Sequence, residues 1–342
     1  MKVAILTGGG DCPGLNAVIR AAVRKGERVF GDELIGSLDG WRGLIDGDVI
    51  PLDIERLRGT LPRGGTVLGT SRVQPYMFDD GVAKVRANVE RLGLDAIIAI
   101  GGEGTLGCAR DLAAEGLPVV GVPKTIDNDI GGTELTFGFD TAVQIATDAI
   151  DRLHTTAESH NRVIVVEVMG RHVGHIATWA GMAGGATMTL VPEHAFDIGA
   201  VCESLTRRHE RGRYASIVVV AEGAKPIEGT LDVGIDEVDE YGHIRLGGIS
   251  QIIATEIEKR TGYETRVTIL GHVQRGGSPT AFDRVLSTRF GVAAIDAVHE
   301  ELWGQMVALR SNQIVRVPLA DALGHLKVID AELWDVAEQF FA

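Results

Sequence analysis

The stretch Ala96-Ile97-Ile98-Ala99-Ile100-Gly101-Gly102-Glu103-Gly104-Thr105 decides the fold. Its first five residues are apolar without alternation, which is typical of a parallel strand that is covered on both faces. Two glycines and an acid follow, and Thr105 then opens a helical pattern. A buried strand, a glycine turn and a helix start in this order predict a βαβ unit.

The same order recurs outward along the chain in both directions. Further strands are predicted at Val3–Leu6, Glu33–Leu38, Val119–Val122, Arg162–Val168, Thr187–Val191, Ile217–Ala221 and Val267–Leu270. Helical patterns are predicted over residues 14–29, 81–92, 105–115, 140–158, 172–183, 197–211, 247–261 and 282–300. We therefore predict an α/β fold with mostly parallel sheets flanked by helices, and ligands at the carboxyl ends of the strands.

Length and composition exclude several classes of protein. The 342 residues predict about two domains, and 33 basic against 47 acidic residues leave a net charge of −14. A duplex-binding protein held by phosphate contacts is therefore excluded, and an anionic ligand needs a local arginine cluster. Apolar runs are too short for a membrane helix or a secretory signal. Three cysteines without Cys-x-x-Cys spacing favour reduced thiols, so we expect a cytoplasmic protein.

Two glycine-rich turns are candidates for phosphate binding. Gly8-Gly9-Gly10-Asp11 follows the first strand and precedes a helix, but it fits neither the P-loop nor the dinucleotide pattern. Nucleotide binding and a plain tight turn are therefore both open for this piece. In the second turn, Gly101 and Gly102 let a phosphate approach the backbone, and Glu103 is a candidate magnesium ligand. The alternative there is a βα turn with a solvated acid.

The segment Val122-Pro123-Lys124-Thr125-Ile126-Asp127-Asn128-Asp129 carries the strongest chemical signal. Two carboxylates two residues apart after a strand can divide their work between accepting a hydroxyl proton and organising a metal. As a simple capping turn the segment is unfavourable, since carboxylates this close repel each other without a compensating cation.

Basic residues occur beside several strand ends. They are Arg72, Arg162, Arg171, Arg266, His272 and Arg275. Each one alone reads as a solvated cation, but together, in an acidic protein, they indicate that two or more phosphates are bound.

These motifs, in this order and over nearly the whole chain, resemble the bacterial-type 6-phosphofructokinases. The resemblance implies magnesium-dependent phosphoryl transfer from ATP to the 1-hydroxyl of fructose 6-phosphate, without nucleic acid or membrane. It also implies a homotetramer whose substrate sites lie between subunits. Two Rossmann-like domains are expected with the active site in their cleft: residues 1–138 with 273–324 for the donor, and 139–272 with 325–342 for the sugar phosphate.

The resemblance also implies individual roles. Asp127 is expected to be the base, Thr125 to lie beside the transferred group and Arg171 to act in catalysis near the phosphates of the donor. Glu103 and Asp129 are expected to organise Mg²⁺. The expected donor contacts are Gly10, Arg72, Gly102, Glu103, Gly104 and Thr105. The sugar phosphate is expected to be bound by Thr125, Asp127, Asp129, Met169, Gly170, Arg171, Glu222, His272 and Arg275, with Arg162 and Arg266 reaching over from a neighbouring subunit.

Two departures from the family pattern concern the donor and the effectors. Lys124 is typical of pyrophosphate users, whereas those users commonly carry an aspartate where this chain has Gly104. We expect Gly104 to decide for ATP, because an aspartate would obstruct the α-phosphate, while Lys124 can swing aside on its flexible stem. His154 and Thr187 replace an arginine and a glutamate of the effector pocket, although Arg211 and Arg213 are kept.

Other functions remain as alternatives. The nearest is a pyrophosphate-dependent fructose-6-phosphate phosphotransferase. NAD and diacylglycerol kinases share a similar glycine loop but lack the Thr125–Asp129 segment and the later arginines. A non-catalytic sugar-phosphate sensor needs no carboxylate pair, and an NAD dehydrogenase needs a glycine fingerprint that this chain lacks.

Overall fold

Residues 1–233 and 248–341 are described in the computed structural model of the chain. They form two compact units, each discontinuous in sequence. Unit 1 comprises Met1–Thr141 and Arg275–Lys327, and unit 2 comprises Ala142–Gln274 and Val328–Ala342. The boundaries expected from the sequence fall at 138/139, 272/273 and 324/325, and the roles assigned to the two domains remain predictions.

The strands of the described residues form the two sheets. They are β1 (Lys2–Thr7), β2 (Glu33–Ser37), β3 (Val49–Leu52), β4 (Ala96–Gly101), β5 (Val119–Pro123), β6 (Val163–Val168), β7 (Met188–Leu190), β8 (Ser216–Ala221), β9 (Thr265–Ile269), β10 (Gln305–Arg310) and β11 (Gln313–Pro318).

The described residues also form α-helices, which lie between the strands in the sequence and after them. They are α1 (Leu15–Lys25), α2 (Trp41–Asp46), α3 (Gly81–Leu92), α4 (Glu103–Ala114), α5 (Phe139–His160), α6 (His175–Ala183), α7 (Ile198–Glu210), α8 (Ile249–Thr261), α9 (Ala281–His299), α10 (Leu319–Ala322) and α11 (Ala331–Glu338). A π-helix, Gly26–Phe30, extends α1. Short 3₁₀ helices lie at Pro75–Met77 and Gly271–Arg275.

Among the described residues, unit 1 is built on a large sheet with the strand order β11-β10-β5-β4-β1-β2-β3. Its inner strands run parallel, and β3 and β11 pair antiparallel at the two edges. All six residues of β4 are buried, because helices cover both faces of a parallel sheet. The carboxyl ends of β1, β4 and β5 therefore meet at one edge, where the glycine turns and the carboxylate segment begin.

Unit 2 is built on a small sheet, all parallel, with the order β7-β8-β6-β9. Its core is apolar and includes β6, β8 and the inner face of α8. The edge strand β9 is only partly buried, with Arg266 exposed on it.

The α/β class and its parallel sheets are confirmed, and every strand predicted from the sequence is present. The strands β3, β10 and β11 and the helices α2, α10 and α11 were missed. The first helix is shorter than predicted, since α1 ends at Lys25 and continues as the π-helix. The glycines and prolines of residues 223–248 predict a turn-rich excursion or a hairpin, but most of this stretch, residues 234–247, lies outside the described residues. No helix in the described ranges has the length and apolar character to cross a bilayer.

Candidate active site

The first two glycine turns form one surface in unit 1. Since β1 and β4 are neighbours in the large sheet, the N–H of Gly8 donates to the carbonyl of Ile100 at 2.9 Å. A Cβ atom on Gly8 would lie 2.5 Å from the hydroxyl oxygen of buried Thr105, and one on Gly101 would overlap the same side chain. Glycine is therefore required at both positions by the packing of Thr105, whether or not a phosphate binds there.

Lys124 is buried against this glycine surface and does not project from it into solvent. Its side chain is buried, with 3% of the residue exposed, and its ammonium group donates a hydrogen bond to the carbonyl of Gly10. Burial lowers the pKa of Lys124, which the charges of Asp11 and Asp127 partly oppose. This corrects the expectation of a mobile cation, because a lysine held against the glycine turn cannot swing toward solvent.

Arg275, the first residue of the second sequence segment of unit 1, contacts the same turn. A Cβ atom on Gly10 would lie 2.9 Å from Cζ of Arg275, so the guanidinium group packs directly on the glycine. The charge of this guanidinium adds to burial in lowering the pKa of Lys124. Two cations therefore meet at a turn of small residues, which is an arrangement suited to an anionic ligand.

Arg72 and Gly102 lie on the loops that flank this turn. The N–H of Gly9 donates to the carbonyl of Ser71 at 2.9 Å, which places Arg72 on the adjoining residue, with an exposed side chain. A Cβ atom on Gly102 would lie 3.5 Å from the carbonyl oxygen of Lys124, an ordinary contact. Glycine at 102 is therefore not required by packing.

The carboxylate segment forms a tight turn after β5. The hydroxyl of Thr125 accepts a hydrogen bond from the N–H of Asp127 at 3.0 Å. Asn128 has a φ of 54°, a left-handed conformation that asparagine tolerates better than most residues. Its buried side-chain oxygen accepts hydrogen bonds from the N–H of Thr136 at 3.1 Å and from the ammonium of Lys327 at 3.0 Å. The turn thus fixes the backbone that carries Asp127 and Asp129.

Glu103 and Asp129 line one cavity of about 230 Å³ together with His325. Magnesium in phosphoryl-transfer sites is commonly held by one or two carboxylates, with waters and substrate phosphates completing its shell. The two carboxylates on one cavity therefore fit a magnesium ion. Within residues 1–233 and 248–341, no three acidic, histidine or cysteine side chains gather closely enough to hold a metal by themselves.

Lys327 was not found by the sequence reasoning. Besides Asn128 it contacts the carbonyl of Glu134, and its N–H donates to the carbonyl of Asp129 at 3.1 Å. Burial lowers its pKa to about 8. Since Lys327 lies roughly two hundred residues from the turn it supports, no local pattern pointed to it.

In unit 2, the predicted sugar-phosphate residues form two groups. Met169, Gly170 and Arg171 follow β6, Glu222 follows β8, and His272 follows β9. These strand ends are joined by hydrogen bonds, since the N–H of Glu222 donates to the carbonyl of Val168 at 2.9 Å. Parallel strands bring these five residues to the carboxyl end of the small sheet.

Arg162 and Arg266 lie at the opposite end of that sheet. Arg162 directly precedes β6, and Arg266 is the second residue of β9, in register with Ile164. The two guanidinium groups share the carboxylate of Glu264, with Nε of Arg162 at 2.7 Å from it. The hydrogen bond from Arg162 lowers the pKa of Glu264.

The length of the strands separates these two groups. A six-residue strand such as β6 spans roughly 20 Å at about 3.3 Å per residue. A sugar phosphate is much shorter than this distance. Within one unit 2, the backbone positions of the arginine pair are therefore separated by about one strand length from those of Arg171 and Glu222.

Thr187 and His154, which replace the expected effector-pocket residues, contact backbone groups of the protein. Thr187 is buried, and its hydroxyl accepts a hydrogen bond from the N–H of Ile217 at 3.2 Å. The ring of His154 lies 2.6 Å from the carbonyl of Gly184. Arg211 and Arg213 are exposed at the end of α7.

A cluster of arginines in unit 1 was also missed. Arg20, Arg24, Arg28 and Arg58 line a cavity of about 230 Å³, and Glu55 lies 3.8 Å from Arg58. The first three are spaced by four residues, which places them on one face of a helix. The sequence therefore contained the signal for this cluster.

Comparisons with known proteins identify the family of the chain. Residues 2–298 match the family described as Phosphofructokinase. The chain is 59% identical over the full length of both chains to a pyrophosphate–fructose 6-phosphate 1-phosphotransferase of Streptomyces coelicolor. It is 56% identical, over 99% of each chain, to ATP-dependent 6-phosphofructokinase 3 of the same organism.

A solved structure of Pichia pastoris phosphofructokinase is similar as well. It superposes on 99% of this chain with a TM-score of 0.83 at 32% identity, and the chain spans 36% of its length. A pyrophosphate-dependent phosphofructokinase from Marinobacter aquaeolei, at a TM-score of 0.83 and 18% identity, shares the fold. With a family match over most of its length and relatives of this identity, the chain belongs to the phosphofructokinase family.

Proposed function

We propose that the chain transfers the terminal phosphoryl group of ATP to the 1-hydroxyl of fructose 6-phosphate, giving fructose 1,6-bisphosphate and ADP. The observation that carries the proposal is the meeting, in unit 1, of a glycine turn, two cations and a fixed carboxylate turn. Loose phosphoryl transfer requires positioning and charge neutralisation more than covalent help, and this arrangement provides both.

In this reaction Asp127 acts as the base. It accepts the proton of the 1-hydroxyl while the sugar oxygen forms its bond to the phosphorus and the bond to the leaving ADP oxygen breaks. Thr125 and Asn128 hold the backbone of Asp127 in place through the turn described above. Arg171 is proposed to lie beside the transferred group, and Arg72 beside the donor phosphates.

Glu103 and Asp129 are the residues that would hold Mg²⁺, since their carboxylates line one cavity. When bound, the ion neutralises charge on the donor's phosphate oxygens. The protein's own part is to keep the two carboxylates on that cavity, and Lys327 contributes by its backbone hydrogen bond to Asp129.

The choice of ATP rests on Gly104. Similar relatives are named for both donors, at 59% identity for pyrophosphate and 55–56% for ATP, so their names support either. Because Lys124 is buried against Gly10, it serves to hold the glycine turn and is a poor marker of the donor. The exposed glycine at 104 places neither bulk nor charge beside a nucleotide, whereas an aspartate would add both.

We further propose that substrate sites are shared between subunits of a homotetramer. The support is the position of Arg162 and Arg266 at the opposite end of the small sheet from Arg171 and Glu222. If the arginine pair binds the 6-phosphate, it serves the site of a neighbouring copy. A cytoplasmic location is proposed as well, since Cys12, Cys108 and Cys202 are free thiols and buried.

A coupled assay tests the proposal. Purified protein is given fructose 6-phosphate and Mg²⁺ with either ATP or pyrophosphate, and kcat/KM is measured for each donor. We expect turnover with ATP to exceed turnover with pyrophosphate, and loss of turnover when EDTA removes the metal. A preference for pyrophosphate would support the second candidate, to which the relative of 59% identity points. No turnover with either donor would favour a sugar-phosphate sensor.

A further inference from the structure

The side of Gly104 where a side chain would project is occupied by Gln74. A Cβ atom added to Gly104 would lie 2.8 Å from Nε2 of Gln74, closer than a carbon and a nitrogen atom pack. Gly104 is the second residue of α4, and its backbone lies outside the left-handed region. A side chain at 104 would therefore strain no backbone, and its first obstacle is the Gln74 amide.

The backbone on both sides of Gln74 is fixed by other contacts. Before it, the carbonyl of Ser71 accepts a hydrogen bond from the N–H of Gly9 at 2.9 Å. After it, the hydroxyl of Tyr76 donates to the carboxylate of Glu115 at 2.9 Å, just beyond α4. The carbonyl of Gln74 itself accepts a hydrogen bond from the N–H of Met77 at 3.1 Å, so its backbone is anchored beside the glycine turn and α4.

We infer that Gln74 is a specificity-determining residue of the donor site and that it acts together with Gly104. The inference rests on the proposed function, since only an enzyme with a phosphoryl donor discriminates between donors. The Gln74 amide is neutral and has two N–H donors. Beside glycine, these donors face the first turn of α4, where an anionic donor gains from hydrogen bonds without any added charge.

An aspartate at 104 changes what the amide binds. Its carboxylate would lie within hydrogen-bond reach of Nε2 and would be held there by a charge-assisted bond. The fixed carboxylate would then repel the phosphates of a nucleotide at close range. The effect of an acid at 104 on ATP use therefore depends on Gln74, because without the amide the carboxylate is free to rotate toward solvent.

A double-mutant cycle measures this dependence. The proteins are the natural chain, Gly104→Asp, Gln74→Ala and the double variant, and the readout is kcat/KM for ATP and for pyrophosphate. We expect Gly104→Asp to lower kcat/KM for ATP about 100-fold or more when Gln74 is present, and less than about tenfold when it is alanine. If the two effects simply multiply, the inference is wrong.

Gln74→Met separates hydrogen bonding from bulk. Methionine keeps a similar volume but has no N–H group, so combined with Gly104→Asp it should relieve the loss as Gln74→Ala does. If methionine keeps the full loss, the amide is not the group that acts. Gln313→Ala, on the exposed face of β11, is the matched control and should change neither donor's kcat/KM.

A binding measurement keeps this inference separate from the proposed function. Calorimetry with the β,γ-imido analogue of ATP is performed on the same four proteins. If the natural chain turns over neither donor, the proposed function fails, while unequal effects of Gly104→Asp on analogue binding in the two backgrounds still support the role of Gln74. If Gly104→Asp changes analogue binding equally in both backgrounds, the role of Gln74 is rejected even when the natural chain is inactive.

Discussion

The two regions that are predicted to bind phosphate are built in different ways. In unit 1 the cations are held by the protein itself, since Lys124 is buried and Arg275 packs on Gly10. In unit 2 the pair Arg162 and Arg266 is 25% and 55% exposed and is held mainly by one acid, Glu264. The cations of the first region are therefore fixed by contacts within unit 1, whereas those of the second are more exposed. The proposal that Arg162 and Arg266 serve a neighbouring subunit rests on this difference, and the following experiments test it.

The largest expected effect is in the self-contained region. Asp127→Ser removes the proposed base, so kcat should fall by about two to four orders of magnitude with little change in substrate KM. Steady-state kinetics with both substrates checks this. Asp46→Ser, which removes an exposed carboxylate of the same unit, should leave kcat unchanged. A variant that keeps a tenth of the natural kcat would exclude Asp127 as the base.

Mixing two impaired variants tests the second region directly, at a fructose 6-phosphate concentration low enough that each variant alone turns over slowly. Asp127→Ser and Arg162→Ser proteins are dissociated, mixed and reassembled, so that some sites receive an intact Asp127 from one chain and an intact Arg162 from another. Random mixing should restore up to about one quarter of the sites. Activity is measured beside native mass spectrometry that verifies mixed oligomers. Verified mixed oligomers without restored activity would show that each site is built within one subunit.

A smaller effect is expected from each arginine alone. Arg162→Ser and Arg266→Ser should raise the KM for fructose 6-phosphate about 10- to 100-fold, because a charge-assisted contact contributes about 1.5–3 kcal/mol. The KM for the donor should hardly change, since the donor contacts belong to unit 1. Arg207→Ser, which removes an exposed arginine of α7, provides the control. An equal rise in both KM values would contradict the separation of the two regions.

The smallest effect concerns regulation. We expect weak or absent activation by ADP and weak inhibition by phosphoenolpyruvate, because Thr187 is buried in a hydrogen bond and has no charge. The ring of His154 already contacts a backbone carbonyl, that of Gly184, at 2.6 Å. Initial rates over a range of each compound check this. Sigmoidal kinetics relieved by micromolar ADP would show that other cations, such as those around Arg20, form an effector site.

Much of the fold follows from the sequence, since buried parallel strands are continuous apolar runs. The outer strands of the large sheet were not predicted, and this has a physical reason. Strands β10 and β11 pair across Ser311 and Asn312, both with positive φ, and neither residue is the glycine that signals such a turn most strongly. Strand β3 contains Pro51 and lies at an edge, where proline is tolerated but masks the strand pattern.

Candidate site residues that share one short motif could be predicted from the sequence. Residues that come together only through the fold could not. Asp127 and Asp129 follow from one short segment, and their roles remain predictions. The burial of Lys124 could not be read from its neighbours in sequence, because it depends on a carbonyl more than one hundred residues away. Gln74 could not be found for the same reason, since only the fold brings its side chain beside Gly104 at the start of α4.

The discontinuity of unit 1 has a consequence for synthesis on the ribosome. Strands β1, β2, β4 and β5 are all complete by Pro123, so the centre of the large sheet is available early. Arg275 and strands β10 and β11 are translated only after nearly all of unit 2, at about 5–20 residues per second. The nascent chain therefore acquires a sheet long before it acquires the second cation at Gly10. Any nascent chain that carries both cations at Gly10 has therefore already passed residues Ala142–Gln274 of unit 2 in translation.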